Sequence, residues 1–465
     1  MILAIDQGTT GTACLVVGDG LEPLGRGYRE LSQRFPRPGW VEQDPEEIWS
    51  SVEAAAEDAL RSAGARAGDL DGIGLTNQRE TTLLWERASG RAVAPAIVWQ
   101  DRRTAARCSE LPAELLRERT GLVPDPYFSA TKLEWLLREH GGGSSGLAFG
   151  TVDSWLAWRL CGEHVTDRTN ASRTLLYDLD EDDWSEELLE LFGVERTLLP
   201  RIAGSAEVVG EATLLGATLP LAGIAGDQQA ALVGQGCLAP GRGKATYGTG
   251  SFVLMQAGAE RPPAPEGILV TAAAAPEGSF ALEGAILVSG AAVQWLRDGL
   301  GLLGDVAESE ELARSVDSTE GVVFVPALTG LGSPYWDPDA RGLVSGITRG
   351  TTRAHLARAA LEAIAFEVAD VVDAFPEPVE VLRADGGATA NGFLMQFQAD
   401  VLGCPVEVAA EQEATALGAA ALAGLALDLW TEPELRPKVG ARYEPEREID
   451  RTAWHEAVGR ARARS

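Results

Sequence analysis

Two rhythms of apolar and polar positions alternate along the chain, and Gly, Asp and Thr collect where one gives way to the other. Leu219 to Gly236 (LPLAGIAGDQQAALVGQG) carries the plainest switch. Leu221, Ala222, Ile224 and Ala225 form an apolar run that predicts a buried strand, bounded by Pro220 before it. The run ends at Gly226-Asp227, and an Ala/Leu/Val segment with helical spacing follows. Asp227 therefore stands at a strand's carboxyl end and a helix's amino end, where open α/β sheets put their ligands. The helix dipole and free amides there favour an ionised carboxylate. Taken alone, an Asp in this place reads as a helix N-cap.

The same period-two pattern opens the chain. Residues 1 to 19 (MILAIDQGTTGTACLVVGD) predict a strand, a Gly/Thr-rich turn and a second strand closed by Gly18-Asp19-Gly20. The turn holds Asp6, Gln7, Gly8, Thr9, Thr10 and Gly11. Glycines let a backbone come close to a phosphate, and threonines add hydroxyl donors. An acidic residue beside such a turn repels phosphate unless a cation lies between, which points to Mg²⁺ held through water. An ordinary hairpin is the competing reading. Residues 245 to 257 (ATYGTGSFVLMQA) repeat the device, with Gly248-Thr249-Gly250 at the tip, and hint at two like-folded domains each offering a hairpin to one ligand.

Between these lies a helix from Asp44 to Ala63, capped by Asp44-Pro45 with acids in its first turn. Leu70 to Trp85 predicts a strand whose apolar run is interrupted by Gln78, Arg79 and Glu80. Neighbouring strand residues point to opposite faces, so Arg79 and Glu80 reach one small ligand only if the strand bulges or ends there. An exposed, ion-paired edge is the alternative. Trp99 and Tyr127 read as packing residues. Phe149 to Cys161 and Arg173 to Leu199 predict helical segments. Gly284 to Leu300 predicts a strand leading through Gly290 into a helix. Thr352 to Phe375 is a long Ala-rich helix, and Val379 to Asn391 a strand, a Gly-Gly turn and the start of a further helix. Thr415 to Leu427 predicts a core helix, and the tail beyond Thr431 one short helix. The G-x-S-x-G at Gly142 to Gly146 sits in a predicted flexible loop with no strand before it and no partner His, so it is not a nucleophile elbow.

A chain of 465 residues exceeds one compact core and predicts two or three domains. A net charge of −30 argues against nucleic acid or an anionic membrane surface as partner. A local cluster of amides still binds phosphate on an acidic protein. Five scattered cysteines without a C-x-x-C pair predict a reducing, cytoplasmic setting. The opening MILAI is too short for a signal peptide, and no window approaches a spanning helix. With four histidines and none at metal-ligand spacing, His-based catalysis is disfavoured. No G-x-x-x-x-G-K-[ST] occurs, which removes the P-loop route to phosphate.

In this order and spacing, DQGTT (6–10), TNQRETT (76–82), IVWQDRRT (97–104), PYFSATK (126–132), TNASRT (169–174), GIAGDQQAAL (223–232), TYGTG (246–250), ALEGA (281–285), QWLRD (294–298), TGLGSPYWDP (329–338), DGGATANGFLMQFQAD (385–400) and ATALGAA (414–420) resemble the FGGY carbohydrate kinases. QRETT with PYFS distinguishes the glycerol-phosphorylating members from their sugar-phosphorylating cousins. The resemblance implies an α/β fold of two actin-like (ribonuclease H-like) domains, each a five-stranded sheet flanked by helices, with a cleft between them. It divides the chain into 1–235, 236–430 and a tail, 431–465. It implies ATP-dependent phosphorylation of glycerol, with Mg²⁺ and Asp227 as general base. Arg79, Glu80, Tyr127, Asp227 and Gln228 match residues that hydrogen-bond glycerol, and Trp99 and Phe252 its apolar backing. Thr9, Thr10, Gly11, Thr249, Gly290, Gln294, Gly387 and Asn391 match nucleotide contacts, and Asp6 a Mg²⁺-associated carboxylate. A cytoplasmic dimer or tetramer is the family expectation. Ala13 stands where the family usually has Arg, so one phosphate contact is absent. The alternatives are an FGGY kinase for another small polyol or ketose, and a weakly catalytic actin-like ATP-binding protein.

Overall fold

The computed structural model describes residues 1–141, 143–432, 435 and 437–463, so the G-x-S-x-G that starts at Gly142 lies partly outside the described residues. Two large sheets organise the chain. The first runs in the order Gly210–Leu214, Ala217–Gly226, Gly72–Asn77, Ile2–Gln7, Gly11–Val17 and Pro23–Glu30. The second runs Leu269–Ala272, Phe280–Ile286, Ser251–Gly258, Arg242–Tyr247, Val381–Asp385, Val406–Ala409 and Val439–Tyr443.

From the hairpins outward the two sheets share one plan. Ile2–Gln7 pairs antiparallel with Gly11–Val17 and parallel with Gly72–Asn77, which pairs parallel with Ala217–Gly226. Arg242–Tyr247 pairs antiparallel with Ser251–Gly258 and parallel with Val381–Asp385, which pairs parallel with Val406–Ala409. The five strands expected per domain are present in each. Antiparallel edge strands extend the first sheet to six and the second to seven.

The helix Ala414–Ala426 leaves the second sheet to cover the first. Its Ala/Gly composition permits very close approach: a Cβ on Gly418 would lie 1.8 Å from the Ala230 carbonyl oxygen, and one on Gly74 2.1 Å from that of Ala419. It thereby packs at once against the helix Asp227–Gly234 and against the sheet whose strand delivers Asp227.

Several expectations are corrected. Pro220 lies inside its strand, not before it. The parallel ladder to Gly72–Asn77 begins only at Leu221, so no bond of that ladder asks for a proline N–H. Leu70 to Trp85 is two strands, Gly72–Asn77 and Leu83–Glu86, in different sheets, because the chain turns at Glu80 with φ +61. Phe149 to Cys161 divides into the end of a strand, Leu147–Gly150, and the helix Val152–Cys161. Arg173 to Leu199 is helical only at Glu186–Phe192 and in a short 3₁₀ turn. Left-handed Leu175 and Asp182 bend the chain into a small hairpin instead.

The tail is more than one short helix. Val439–Tyr443 closes the second sheet, and the helix Thr452–Arg462 buries Trp454 against Phe366. Three buried positions (Trp454, Ala457, Val458) dock that helix, too few to register as a pattern. Asp370 pins it, accepting from Trp454 Nε1 at 2.7 Å and from Tyr335 Oη at 2.7 Å.

Candidate active site

Asp227 opens the helix Asp227–Gly234 directly after the strand Ala217–Gly226. It is not a side-chain cap for that helix beyond its own neighbour: Oδ1 accepts from the Gln228 amide at 2.7 Å, and 30 % of the side chain stays open to the cleft. The strand end is held from behind. The Gly226 amide donates to Thr169 Oγ1 at 2.8 Å, and that hydroxyl donates to Asp167 Oδ2 at 2.7 Å.

Strand Gly72–Asn77 stops just short of Arg79 and Glu80, so the condition for both to reach one site is met. Neither is on an exposed edge; they are 2 % and 1 % exposed. Arg79 gathers the site. Its Nη1 and Nη2 donate to Glu283 Oε2 and Oε1 at 2.7 and 2.8 Å, Nη2 reaches Tyr127 Oη at 3.3 Å, and Nη1 reaches Gln229 Oε1 at 3.1 Å. Its Nε lies 3.0 Å from Asp227 Oδ1 without hydrogen-bond alignment. Glu80 Oε1 accepts from Arg173 Nε at 2.6 Å. Burial raises the Glu80 carboxyl above its usual range, against the pull of Arg173 and Arg79.

Aromatic rings wall one side. Trp99 stands edge-on to Tyr127 at 5.5 Å and to Phe252 at 6.5 Å between ring centres. Phe252 belongs to the second sheet, so the wall is built from both halves. Trp99 Nε1 also donates to Thr9 Oγ1 at 2.9 Å, joining the wall to the first hairpin turn. Gln228 is turned away from a free role: its Oε1 accepts from Lys244, a fully buried ammonium that also donates to Thr246 Oγ1 at 2.8 Å. Burial holds that ammonium below its usual range, against Asp385 and Asp227.

Of the remaining predicted residues, Thr249 and Gly290 come together at the second hairpin. The tip Gly248–Gly250 is stitched to the helix Gly290–Asp298: the Gly290 amide donates to Gly248 O at 3.0 Å and the Ala291 amide to Thr249 O at 3.1 Å. A Cβ on Gly290 would come within 2.6 Å of Gly248 O, and one on Gly386 within 2.5 Å of Tyr247 O. Glycine is needed at both because backbone meets backbone. Thr10, Thr249, Gln294 and Gly387 are exposed, whereas Gly11 is buried in its strand. Asn391 caps the helix Gly392–Leu402, accepting from the Leu394 amide at 3.0 Å, and donates to Ser309. Asp6 sits at the end of the first strand, half-buried. Burial, then Asp227 and Glu413, push its carboxyl up to about 8.

Five partners had no assigned role in the sequence reading: Arg173, Glu283, Lys244, Thr169 and Glu413. Glu283 carried a signal, a single charge inside an apolar strand (FALEGAI) that has to find a counter-charge; Lys244 shares its strand (RGKATY) with exposed Arg242 and carried no such mark. Thr169 lies in a four-residue helix, Arg168–Ala171, too short to show a period, and Arg173 in the turn that follows it.

Residues 1–234 match the FGGY family of carbohydrate kinases, N-terminal domain, and residues 243–427 its C-terminal domain. The chain is 50% identical to glycerol kinase of Deinococcus radiodurans, over 99% of this chain and 97% of that one. It is 48% identical to glycerol kinase 2 of Thermotoga maritima, over 99% and 98%. In structure it is similar to Plasmodium falciparum glycerol kinase with ADP, with a TM-score of 0.92 and 32% identity, covering 100% of this chain and 98% of the other. A Brucella ovis xylulose kinase matches with a TM-score of 0.89 at 28% identity, covering 99% and 97%.

Proposed function

The chain belongs to the FGGY family of carbohydrate kinases, and from that premise we propose that it transfers the γ-phosphoryl group of ATP to glycerol, giving sn-glycerol 3-phosphate. One observation carries the reading: a single guanidinium, Arg79, brings the cleft-facing Asp227, Tyr127 and a second-domain carboxylate into one contact set.

Asp227 is the general base. Its free carboxylate edge takes the proton of the attacking hydroxyl as the O–P bond forms and the bond to ADP breaks. Phosphoryl transfer asks the protein for alignment and charge stabilisation, and these residues supply both without a covalent nucleophile. Arg79 donates to glycerol hydroxyls and Glu80 accepts from them. Tyr127 orients one end, while Trp99 and Phe252 cover the carbon chain. Gln228 takes part through its amide nitrogen, its oxygen being held by Lys244. A substrate that left these buried groups unpaired would be rejected by orders of magnitude.

The nucleotide side is assigned to the hairpin tips with Thr9, Thr10, Gly11 and Thr249, to Gly290 and Gln294, and to Gly387 and Asn391. The backbone crowding at Gly290 and Gly386 supports it. Mg²⁺ fits beside Asp6: burial and the nearby acids Asp227 and Glu413 hold the Asp6 carboxyl in its protonated form, and a cation would favour it ionised. Among the described residues no three ligating groups converge on a point, so Asp6 would hold the ion through water. When bound, the ion neutralises phosphate charge. The division at 235 and 430 is our reading of the chain, as are a cytoplasmic setting and a dimer or tetramer. Among the described residues no helix is long and apolar enough to cross a membrane.

The test is ADP release with glycerol against erythritol and a panel of pentuloses. Preference for glycerol supports the proposal; a clear preference for another polyol or ketose overturns the substrate assignment.

A further inference from the structure

Four buried charges close a ring beneath the cleft, and they come from both halves of the chain. Arg79, Glu80 and Arg173 belong to the first, Glu283 to the strand Phe280–Ile286 of the second sheet. Glu283 chelates Arg79 through both oxygens at 2.7 and 2.8 Å and lies 3.2 Å from Arg173 Nη2. Arg173 holds Glu80 at 2.6 Å, and Glu80 lies 3.9 Å from Arg79 Nε. The four side chains are each at most 1 % exposed, whereas Asp227 alongside them is 30 % exposed. The seam continues in neutral contacts next door: Ser172 Oγ with Thr271 Oγ1 at 2.8 Å, and Gln229 Nε2 to the same hydroxyl at 3.1 Å.

A buried ion ring is by itself weak evidence of stabilisation, because desolvation offsets most of its attraction. Its geometry carries a more specific meaning. Arg79 faces two ways: its Nε side meets Asp227 at the open cleft, and its Nη fork is fixed by a carboxylate of the other domain. Without Glu283 the fork would swing toward the remaining acids, Glu80 and Asp227, leaving the orientation that the cleft needs.

We propose that Glu283 is a positioning residue through which the second domain contributes to substrate binding: by clamping Arg79, and with it Arg173 and Glu80, it sets the polar face that holds the substrate hydroxyls. The inference rests on the kinase reading above. It makes the polar recognition of the small substrate depend on the second domain, as its apolar backing already does through Phe252.

The experiment is steady-state kinetics of Glu283→Gln, which keeps the side-chain volume and removes the charge, and of Glu283→Asp, which keeps the charge and withdraws it by one methylene. For folded E283Q the KM for glycerol rises about tenfold or more, while the KM for ATP at saturating glycerol stays within about two-fold. E283D falls between parent and E283Q. A purely structural role lowers the melting temperature and leaves the glycerol KM where it was, and that result overturns the proposal. Should E283Q not fold, E283D carries the same test on its own, with the same two outcomes. A parent enzyme that prefers another polyol refutes the glycerol assignment alone, and the KM shift is then read with that polyol.

Discussion

Thr169→Val removes one hydroxyl from behind the proposed base and nothing else, since valine has the same shape. That hydroxyl, fully buried, accepts from the Gly226 amide at 2.8 Å and donates to Asp167 Oδ2 at 2.7 Å. Asp167 keeps the Thr169 and Asn170 amides at 2.9 and 3.0 Å, Asn170 Nδ2 at 2.9 Å and Ser205 Oγ at 2.6 Å, so its charge stays solvated by the protein. The Gly226 amide has no such reserve. Leaving it unpaired costs about 1–3 kcal/mol, and the lost charge-assisted bond adds about 1 kcal/mol, for a total of about 2–4 kcal/mol. Gly226 immediately precedes Asp227, so slack there moves the carboxylate; a displacement of about 1 Å is enough to cost about 10²-fold in turnover. Thermal unfolding and kcat on purified T169V read the two effects, and Thr169→Ser restores both. An unchanged kcat with a lowered melting temperature would refute the positioning argument, and no change in either would refute the hydrogen-bond assignment itself.

Two further outcomes follow from buried groups. Burial and the neighbouring Asp167 push Asp153 up to about 7, so the folded protein holds a proton there that the unfolded chain releases. That contribution is complete below the ordinary Asp range and is lost as pH rises through about 7. Asp153→Asn, which keeps the shape and cannot ionise, is therefore expected to gain on the parent by on the order of 2–3 kcal/mol between pH 5 and pH 8, read by denaturation at both; a constant difference contradicts it. Gly418→Ala places a Cβ 1.8 Å from the Ala230 carbonyl and forces apart the two helices that carry and cover Asp227. Calorimetry is expected to give a loss of about 1–3 kcal/mol or more, with reduced kcat; a melting temperature equal to the parent's contradicts that packing.

Local rules carried the fold where one element satisfied them alone. The helix Pro45–Ala63, with Asp44 accepting from the Glu46 amide, needs only its cap and its spacing. Both hairpins were readable because a strand, a Gly/Thr turn and a strand are contiguous. The duplicated sheet plan was hinted by those turns but rests on parallel pairings between strands far apart in sequence, which no local pattern encodes. The break at Glu80 and the hairpin after Arg173 depend on left-handed residues that are not glycine, so the residue types give no sign of them. At the site, Asp227 was legible from its junction of strand and helix. Arg79 and Glu80 were legible as charges in an apolar run, but the bland reading put them at the surface. They are buried because Glu283 and Arg173, over a hundred positions apart in the chain, close around them.

The most direct test of the account is single-turnover phosphoryl transfer to glycerol by Asp227→Asn, with folding and ATP binding verified on the same preparation. The amide keeps the contact distance to Arg79 and cannot take the substrate proton, so transfer is expected to slow by about 10²–10⁴-fold while glycerol still binds. Transfer at the parent's rate would contradict the assignment of the base, and with it the mechanism.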